Sequence, residues 1–88
     1  MLTKKFLNAL NNFIDSERFK NIEIRDDIVI NQDWGADSLD KAILEMYLEQ
    51  EYQISIDPYD FIKKDFTLMS LEEMCEFCEE HSILQSNK

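Results

Sequence analysis

The first amphipathic pattern lies near the amino end of the chain. Between Phe6 and Ile14, apolar residues recur at spacings of three and four, and asparagines fill most of the positions between them. This period matches the turn of an α-helix that has one apolar face. We therefore predict a helix over residues 3–17 that packs this face on a core.

Residues 18–34 carry a mixed pattern. Their isoleucines, at positions 22, 24, 28 and 30, partly alternate with other residues, as in a strand. The run is short, no other segment is an obvious pairing partner, and an isolated hairpin is only marginally stable. We expect a long ordered loop that its isoleucines hold against the core.

A second helical pattern begins at Asp37 or Ser38. Either side chain can cap a helix by accepting a hydrogen bond from a free backbone N–H, and good helix formers continue through Glu51. Its apolar residues form two neighbouring rows: Leu39, Ala42, Ile43, Met46 and Tyr47 on one face, with Leu44, Leu48 and Tyr52 beside it.

The segment after this helix breaks the pattern from Gln53 to Pro58. Proline is favoured at the first position of a helix, so Asp57-Pro58 is suited to start a short helical turn that carries Tyr59, Phe61 and Ile62. Ser70 and Glu73 then have the spacing of a capping box, which predicts a last helix with the apolar stripe Leu71, Met74, Cys75 and Cys78.

Together these patterns predict one all-α domain over residues 1–88. It is a small four-helix bundle with three main helices and one short helix, and its tail frays from about residue 85. The chain has only one glycine and one proline, which agrees with a few helices joined by loops.

Charge narrows the possible partners. Nineteen acidic against nine basic residues give a formal net charge of −10, which disfavours nucleic acid and anionic membrane surfaces. Residues 37–60 hold seven of the acids and a single base, Lys41. This uneven distribution favours an acidic surface that attracts a basic protein partner.

The residues around Ser38 form the most informative motif. An acidic and a large apolar residue precede Gly-x-Asp-Ser-Leu, in the stretch Asp33-Trp34-Gly35-Ala36-Asp37-Ser38-Leu39-Asp40. This stretch resembles the acyl carrier protein family, in which the pattern opens the second of four helices. The chain length, the acidity, the first helix, the long loop and the last helix agree as well, so the resemblance covers about residues 3–82.

The resemblance implies a chemistry and a set of partners. A phosphopantetheinyl transferase would move 4'-phosphopantetheine from coenzyme A to the Ser38 hydroxyl, and the arm's thiol would carry acyl groups as thioesters. The chain would serve fatty-acid synthesis or a specialised lipid or polyketide pathway, without catalytic activity of its own. It would dock on acyl-transferring or synthase enzymes with basic patches, through a surface that includes Asp37, Leu39, Asp40, Met46 and Glu49.

Elementary physical chemistry agrees with this interpretation of Ser38. A phosphodiester at a helix start meets unpaired backbone N–H groups and the positive end of the helix dipole. Gly35 gives the backbone freedom beside the serine. Considered alone, Ser38 would be an ordinary helix cap, and it is the surrounding motif that favours an attachment site.

Four positions depart from the family pattern. Trp34 stands where leucine is common and should still anchor the loop, Ile43 lies near a position that is often acidic, and Lys41 interrupts the acidic surface. Glu45 occupies a position that is commonly apolar. If its carboxylate points inward it needs a hydrogen-bonding partner, and the cavity for an acyl chain is then smaller or more polar. These departures leave two alternatives open, a housekeeping fatty-acid carrier and a specialised carrier.

Other sites fit the sequence less well. Cys75-x-x-Cys78 with His81 offers three metal ligands only, and both cysteines lie in the apolar stripe, so we predict buried thiols and no metal site. Asp-Ser-Leu also resembles a motif of some esterases, but His81 is the only histidine and a serine without a base is a poor nucleophile. The spacing around Gly35 does not match a calcium-binding EF-hand loop.

Two hypotheses from different classes remain. One is the carrier, and the other is an unmodified acidic helical adaptor that binds a basic protein. For both we expect a monomer in a reducing cytoplasm, because two cysteines make no disulfide framework. No apolar run reaches the roughly 20 residues of a membrane span, so we expect no insertion into a membrane.

Overall fold

The computed structural model describes the backbone of residues 1–86 and the side chains of residues 1–82. These residues form four helices and no strand: α1 (Lys4–Glu17), α2 (Ile30–Asp33), α3 (Ser38–Tyr52) and α4 (Leu71–Ser86). The predicted all-α bundle of three long helices and one short helix is confirmed. The frayed tail expected from about residue 85 lies, beyond Ser86, outside the described residues.

Helix α1 follows its sequence pattern closely. The Thr3 hydroxyl caps the helix by accepting a hydrogen bond from the Phe6 backbone N–H at 3.3 Å. Phe6, Leu10 and Phe13 are fully buried on one face. Burial of one such side chain is worth about 1.5–3 kcal/mol, so this face holds α1 against the rest of the bundle.

The long loop is ordered as expected, but it contains the short helix. Ile28 and Ile30 are buried and hold the loop to the core, whereas Ile22 is half-buried and Ile24 is exposed. Ile30 begins α2, a single helical turn. The Asp33 carboxylate stabilises this turn by accepting a hydrogen bond from the Val29 N–H at 2.8 Å.

The prediction of a short helix starting at Asp57-Pro58 is wrong, because the structure has no helix between α3 and α4. The Asp60 carboxylate accepts a hydrogen bond from the Asp57 N–H at 2.7 Å, and the chain makes successive turns there. The strand-like bridge between Ile62 and Leu68 then folds residues 62–68 into a tight hairpin. Because Ile62 pairs with Leu68, a helix that began at Pro58 could not continue through Ile62. The helix propensity of Pro58 gives no information about this pairing.

Helix α3 lies between α1 and α4, and it buries only one of its two apolar rows. Leu44, Leu48 and Tyr52 are buried, together with Glu45, whereas Leu39 and Met46 are 67% and 55% exposed. Two helices pack on the row of positions 44, 48 and 52. The neighbouring row, which includes Leu39 and Met46, therefore faces outward.

Helix α4 closes the core with the predicted stripe. The Ser70 hydroxyl accepts a hydrogen bond from the Glu73 N–H at 3.2 Å, and the Glu73 carboxylate accepts one from the Ser70 N–H at 2.9 Å, which confirms the capping box. The four residues of the stripe are buried: Leu71, Met74, Cys75 and Cys78. Within residues 1–86, no helix has both the length and the apolar character that crossing a membrane requires.

Candidate functional site around Ser38

Ser38 is the first residue of α3, and its side chain is exposed. It does not cap the helix. The cap is Asp37, whose carboxylate accepts a hydrogen bond from the Asp40 N–H at 2.9 Å, while the Asp40 carboxylate accepts one from the Asp37 N–H at 3.0 Å. Because Asp37 performs the capping, the Ser38 hydroxyl is free to react or to bind.

The backbone before Ser38 turns through a left-handed residue. Gly35 has φ +70°, and a Cβ atom built there would meet no atom within 4 Å. The requirement for glycine is therefore conformational and not one of space. Ala36 is buried, and its N–H donates to the Ile30 carbonyl at 3.1 Å, so the turn is tied to the start of α2.

Trp34 anchors the loop, as its sequence position suggested. Its indole N–H donates to the Glu23 carbonyl at 3.2 Å, and its ring lies 6.1 Å from the ring of Phe19. Phe19 in turn contacts Phe13 of α1, with ring centroids 5.5 Å apart. The motif that carries Ser38 is thus connected to the core through a chain of three aromatic rings.

A groove of about 310 Å³ opens beside Ser38. It lies between α2, the start of α3 and the hairpin of residues 62–68. Five apolar side chains line it, together with Ser38, Asp37, Asn31 and Lys41: they are Ile30, Ala36, Ile62, Phe66 and Leu68. An apolar group attached to the exposed Ser38 hydroxyl could therefore lie in this groove.

The start of α3 offers hydrogen-bond donors to an anion. The first N–H groups of a helix have no acceptor within that helix, and here the Asp37 side chain and carbonyl take those of Asp40 and Lys41. The N–H groups of Ser38 and Leu39 remain. They lie at the positive end of the helix dipole, which favours a negative group on Ser38.

Lys41 and Glu45 form an ion pair on the inner side of α3. The Lys41 ammonium lies 2.5 Å from the Glu45 carboxylate and donates a second hydrogen bond to the Pro58 carbonyl at 2.7 Å. Only 8% of the Glu45 side chain is accessible, and this burial raises the pKa of the Glu45 carboxyl, although Lys41 opposes the rise. Glu45 therefore points inward and has the partner that an inward carboxylate requires.

The acidic surface predicted for residues 37–60 is not free along its whole length. Glu45 is buried against Lys41, and the half-buried Glu49 accepts a hydrogen bond from the Ile56 N–H at 2.8 Å. Asp37 and Asp40 lie together at the helix start. Of the five residues of the predicted partner surface, Asp37, Leu39 and Met46 are exposed, and Asp40 and Glu49 are half-buried.

The outer face of α3 is more apolar than the predicted surface suggested. Ile43, Met46, Tyr47 and Gln50 enclose a shallow pocket of about 220 Å³ on this face. Ile43 and Tyr47 were predicted to share a face with Met46, but the pattern did not say whether that face pointed inward or outward. Ile43 and Tyr47 are half-buried and also pack against the core, so Leu39 and Met46 are the large apolar side chains of this row that are available for a contact with another molecule.

The cysteines behave as small apolar residues. Cys75 and Cys78 are 2% and 0% exposed, and burial raises the pKa of the Cys78 thiol to about 12. His81 stacks on Phe77 at 3.8 Å, and its Nδ1 lies 2.9 Å from the Phe77 carbonyl. No cluster of three or more potential metal ligands occurs in the described part of the chain.

Sequence reasoning missed Phe66 altogether. Its side chain is 89% exposed, and its backbone has φ 68°, a conformation that is unusual for a bulky residue. The only signal in the sequence was the polar character of residues 63–67, Lys-Lys-Asp-Phe-Thr, around this one aromatic residue. Such a segment indicates a turn, but it does not indicate where the ring points.

Comparison of the chain with known protein families, characterised proteins and solved structures finds no match, so the resemblance noted above depends on the motif and its structural context.

Proposed function

We propose that this protein is an acyl carrier whose 4'-phosphopantetheine arm is attached to the Ser38 hydroxyl. The observation that carries the proposal is the exposed hydroxyl at the first position of α3, within the Asp33–Asp40 motif, where another residue already caps the helix. A serine needed only for capping would occupy the position that Asp37 holds.

The residues present fit such an arm. The arm supplies a flexible tether that ends in a thiol, on which acyl groups are held as thioesters. The Ser38 and Leu39 N–H groups suit its phosphodiester, as does the dipole of α3, and the groove beside Ser38 suits an apolar segment. The carboxylates of Asp37 and Asp40 oppose the phosphodiester charge, but each is engaged with a backbone N–H.

The outer face of α3 supports a docking role in the same proposal. Leu39 follows the attachment residue directly, and Met46 lies two turns further along the helix; both are exposed apolar side chains. Apolar contacts supply affinity in an interface, while the acidic groups around them speed the encounter with a basic enzyme surface. The partners we propose are a phosphopantetheinyl transferase and enzymes that transfer or extend acyl groups.

Modification by a transferase tests this function directly. The full-length chain is incubated with coenzyme A and a phosphopantetheinyl transferase of broad substrate range, and its intact mass is measured. We expect a gain of one phosphopantetheine group, because Ser38 is exposed on the folded protein.

Two serine variants make the result specific. Ser38→Ala should gain nothing, whereas Ser55→Ala, which changes another exposed serine, should be modified like the wild type. An unmodified wild-type chain would contradict the carrier function and would favour the acidic adaptor, whose exposed apolar face on α3 would then bind a protein without an arm. A gain that persists in Ser38→Ala would contradict the attachment site.

A further inference from the structure

The groove beside Ser38 has a composition that selects a particular class of cargo. On the basis of the proposed function, we infer that the arm's cargo is a short acyl group that lies in this groove, on the outside of the bundle and against Phe66, and not a long chain inside the helix core. Three observations support the inference: the closed interior, the size and lining of the groove, and the conformation of Phe66.

The interior of the bundle is closed to a chain that starts at Ser38. Leu44, Leu48 and Met74 are fully buried in the core, where an inward-running chain would have to displace them. On the side of α3 that faces residue 58, the Lys41–Glu45 pair is tied to the Pro58 carbonyl. An apolar chain entering there would have to separate a buried ion pair, which leaves charges without partners in a site of low polarity.

The groove outside offers a surface of the right chemistry. Its volume of about 310 Å³ is at the lower end of the roughly 300–1,000 Å³ that small-molecule sites occupy, so the groove covers a short group fully and only part of a long one. The lining is apolar apart from a few polar groups. Lys41 is one of them, and the third N–H of its ammonium has no acceptor among the described residues, so it is available to an oxygen of the arm or the thioester.

Phe66 forms a wall of the groove and is left uncovered by the described residues. Its N–H donates to the Lys63 carbonyl at 2.9 Å, and the Asp65 carboxylate accepts hydrogen bonds from the Thr67 N–H and hydroxyl. These bonds hold the left-handed backbone of Phe66 and present its ring at the edge of the groove. Strained residues that the surrounding structure holds in place occur preferentially at binding sites, and an aromatic ring gains contact energy when a ligand covers it.

A chemical tether tests the groove without a transferase. In the Ser38→Cys chain, an alkyl methanethiosulfonate transfers its S-alkyl group to the thiolate introduced at position 38, forming a disulfide and releasing methanesulfinate. Intact mass should show one group added, because Cys75 and Cys78 are buried. Methyl, propyl and dodecyl groups are compared by NMR of the methyl groups of the groove and of the core.

The position of the tethered chain decides the inference. We expect propyl and dodecyl to shift the methyl signals of Ile30, Ile62 and Leu68, with the methyl adduct as reference, and to leave those of Leu44 and Leu48 in place. A dodecyl chain that shifts the core methyls, or a propyl chain that shifts no groove methyl, would overturn the inference. The result is independent of the Ser38 mass assay, so a failure here and a failure of the carrier function remain distinguishable.

Phe66 is tested by the protection that it gives the tether. Cleavage of the propyl disulfide by a small thiol should slow about fourfold for each methylene that the groove covers. Phe66→Ala should lose most of this protection, whereas Tyr59→Ala, which removes another exposed aromatic ring outside the groove, should keep it. Equal rates of disulfide cleavage in the two variants would show that the Phe66 ring does not cover the tethered group.

Discussion

The Lys41 ammonium lies 2.5 Å from the Glu45 carboxylate, one helical turn away on the inner side of α3. A second hydrogen bond from the same ammonium reaches the Pro58 carbonyl, so the pair joins α3 to the segment that follows it. The pair is well shielded, since 15% of the Lys41 side chain and 8% of the Glu45 side chain are accessible. It therefore affects stability more than a surface ion pair does.

Removal of one partner should cost more than removal of both. Lys41→Met leaves a buried carboxylate without its cation, and we expect the free energy of unfolding to fall by about 3 kcal/mol. The double variant Lys41→Met/Glu45→Leu replaces both charges with apolar groups of similar size and should be more stable than the single variant. Urea denaturation measures both, and a double variant less stable than Lys41→Met would contradict this account.

The raised pKa of Glu45 predicts a dependence on pH. The folded state binds a proton at Glu45 more tightly than the unfolded state, whose pKa is near 4.5, so the Glu45 contribution to stability falls as pH rises from about 4.5 through the folded pKa. Over this window, the free energy of unfolding of the wild type should fall relative to that of Glu45→Gln. Below it, the difference between the two free energies should not change with pH. Urea denaturation at several pH values tests the sign of this pH dependence. A wild type that becomes more stable relative to Glu45→Gln as pH rises would contradict a raised pKa of Glu45.

Tyr52 of α3 connects the N-cap of α1 to α4 through a partly buried polar network. Its hydroxyl donates to the Glu79 carboxylate at 2.5 Å and lies 3.2 Å from the Thr3 hydroxyl, which itself donates to Glu79 at 3.1 Å. Burial and the hydrogen bond to Glu79 raise the pKa of Tyr52 far above its usual value, so the phenol stays a donor.

Tyr52→Phe should therefore destabilise the protein by about 1–2 kcal/mol, because the Glu79 carboxylate loses its phenolic donor. Tyr47→Phe is the matched control: Tyr47 lies on the outer face of the same helix, half-buried. Thermal or urea denaturation compares them, and equal losses in the two variants would show that the network does not contribute.

Gly35 offers a test of backbone conformation without a steric contribution. A Cβ at this position meets nothing within 4 Å, so Gly35→Ala should cost only the left-handed conformation, about 1 kcal/mol. Asparagine tolerates that conformation better, so Gly35→Asn should lose less stability than Gly35→Ala. A loss of several kcal/mol in either variant, measured by urea denaturation, would point to a steric conflict instead.

The outer face of α3 is tested by charge insertion. Leu39→Asp and Met46→Asp change exposed side chains, so the free energy of unfolding should stay within about 0.5 kcal/mol of the wild type. If this face docks on partner enzymes, kcat/KM for modification by the transferase should fall at least several-fold in each. Asn12→Asp, at an exposed position of α1 outside this face, serves as the control for added negative charge. Unchanged kcat/KM in both apolar variants would remove Leu39 and Met46 from the docking surface.

Much of the fold was predictable because its determinants are local. Thr3 and Ser70 cap their helices through hydrogen bonds that span three residues, and the buried face of α1 follows directly from its period. The place of Ser38 at the start of α3 was predictable for the same reason. In each case the interacting groups lie within one helical turn of each other, so their separation in the sequence determines their separation in space.

The short helix shows where local reasoning ended. Pro58 has the right chemistry to begin a helical turn, but the pairing of Ile62 with Leu68 draws the chain into a hairpin, and the single turn forms instead at Ile30. The conformation of Phe66 depends on that hairpin as well. Pairings of this kind depend on the packing around them, which helix propensity does not describe.

By itself, the sequence determined an acidic four-helix protein with an unusual serine at a helix start, because composition, period and capping act locally. The tertiary structure alone decided which apolar row of α3 fills the core, since both rows fit a helix and only the positions of α1 and α4 distinguish them. It also decided that Glu45 points inward to Lys41 and that Phe66 and Ser38 line the same groove. A periodic pattern shows that a face is apolar, whereas packing determines what covers it.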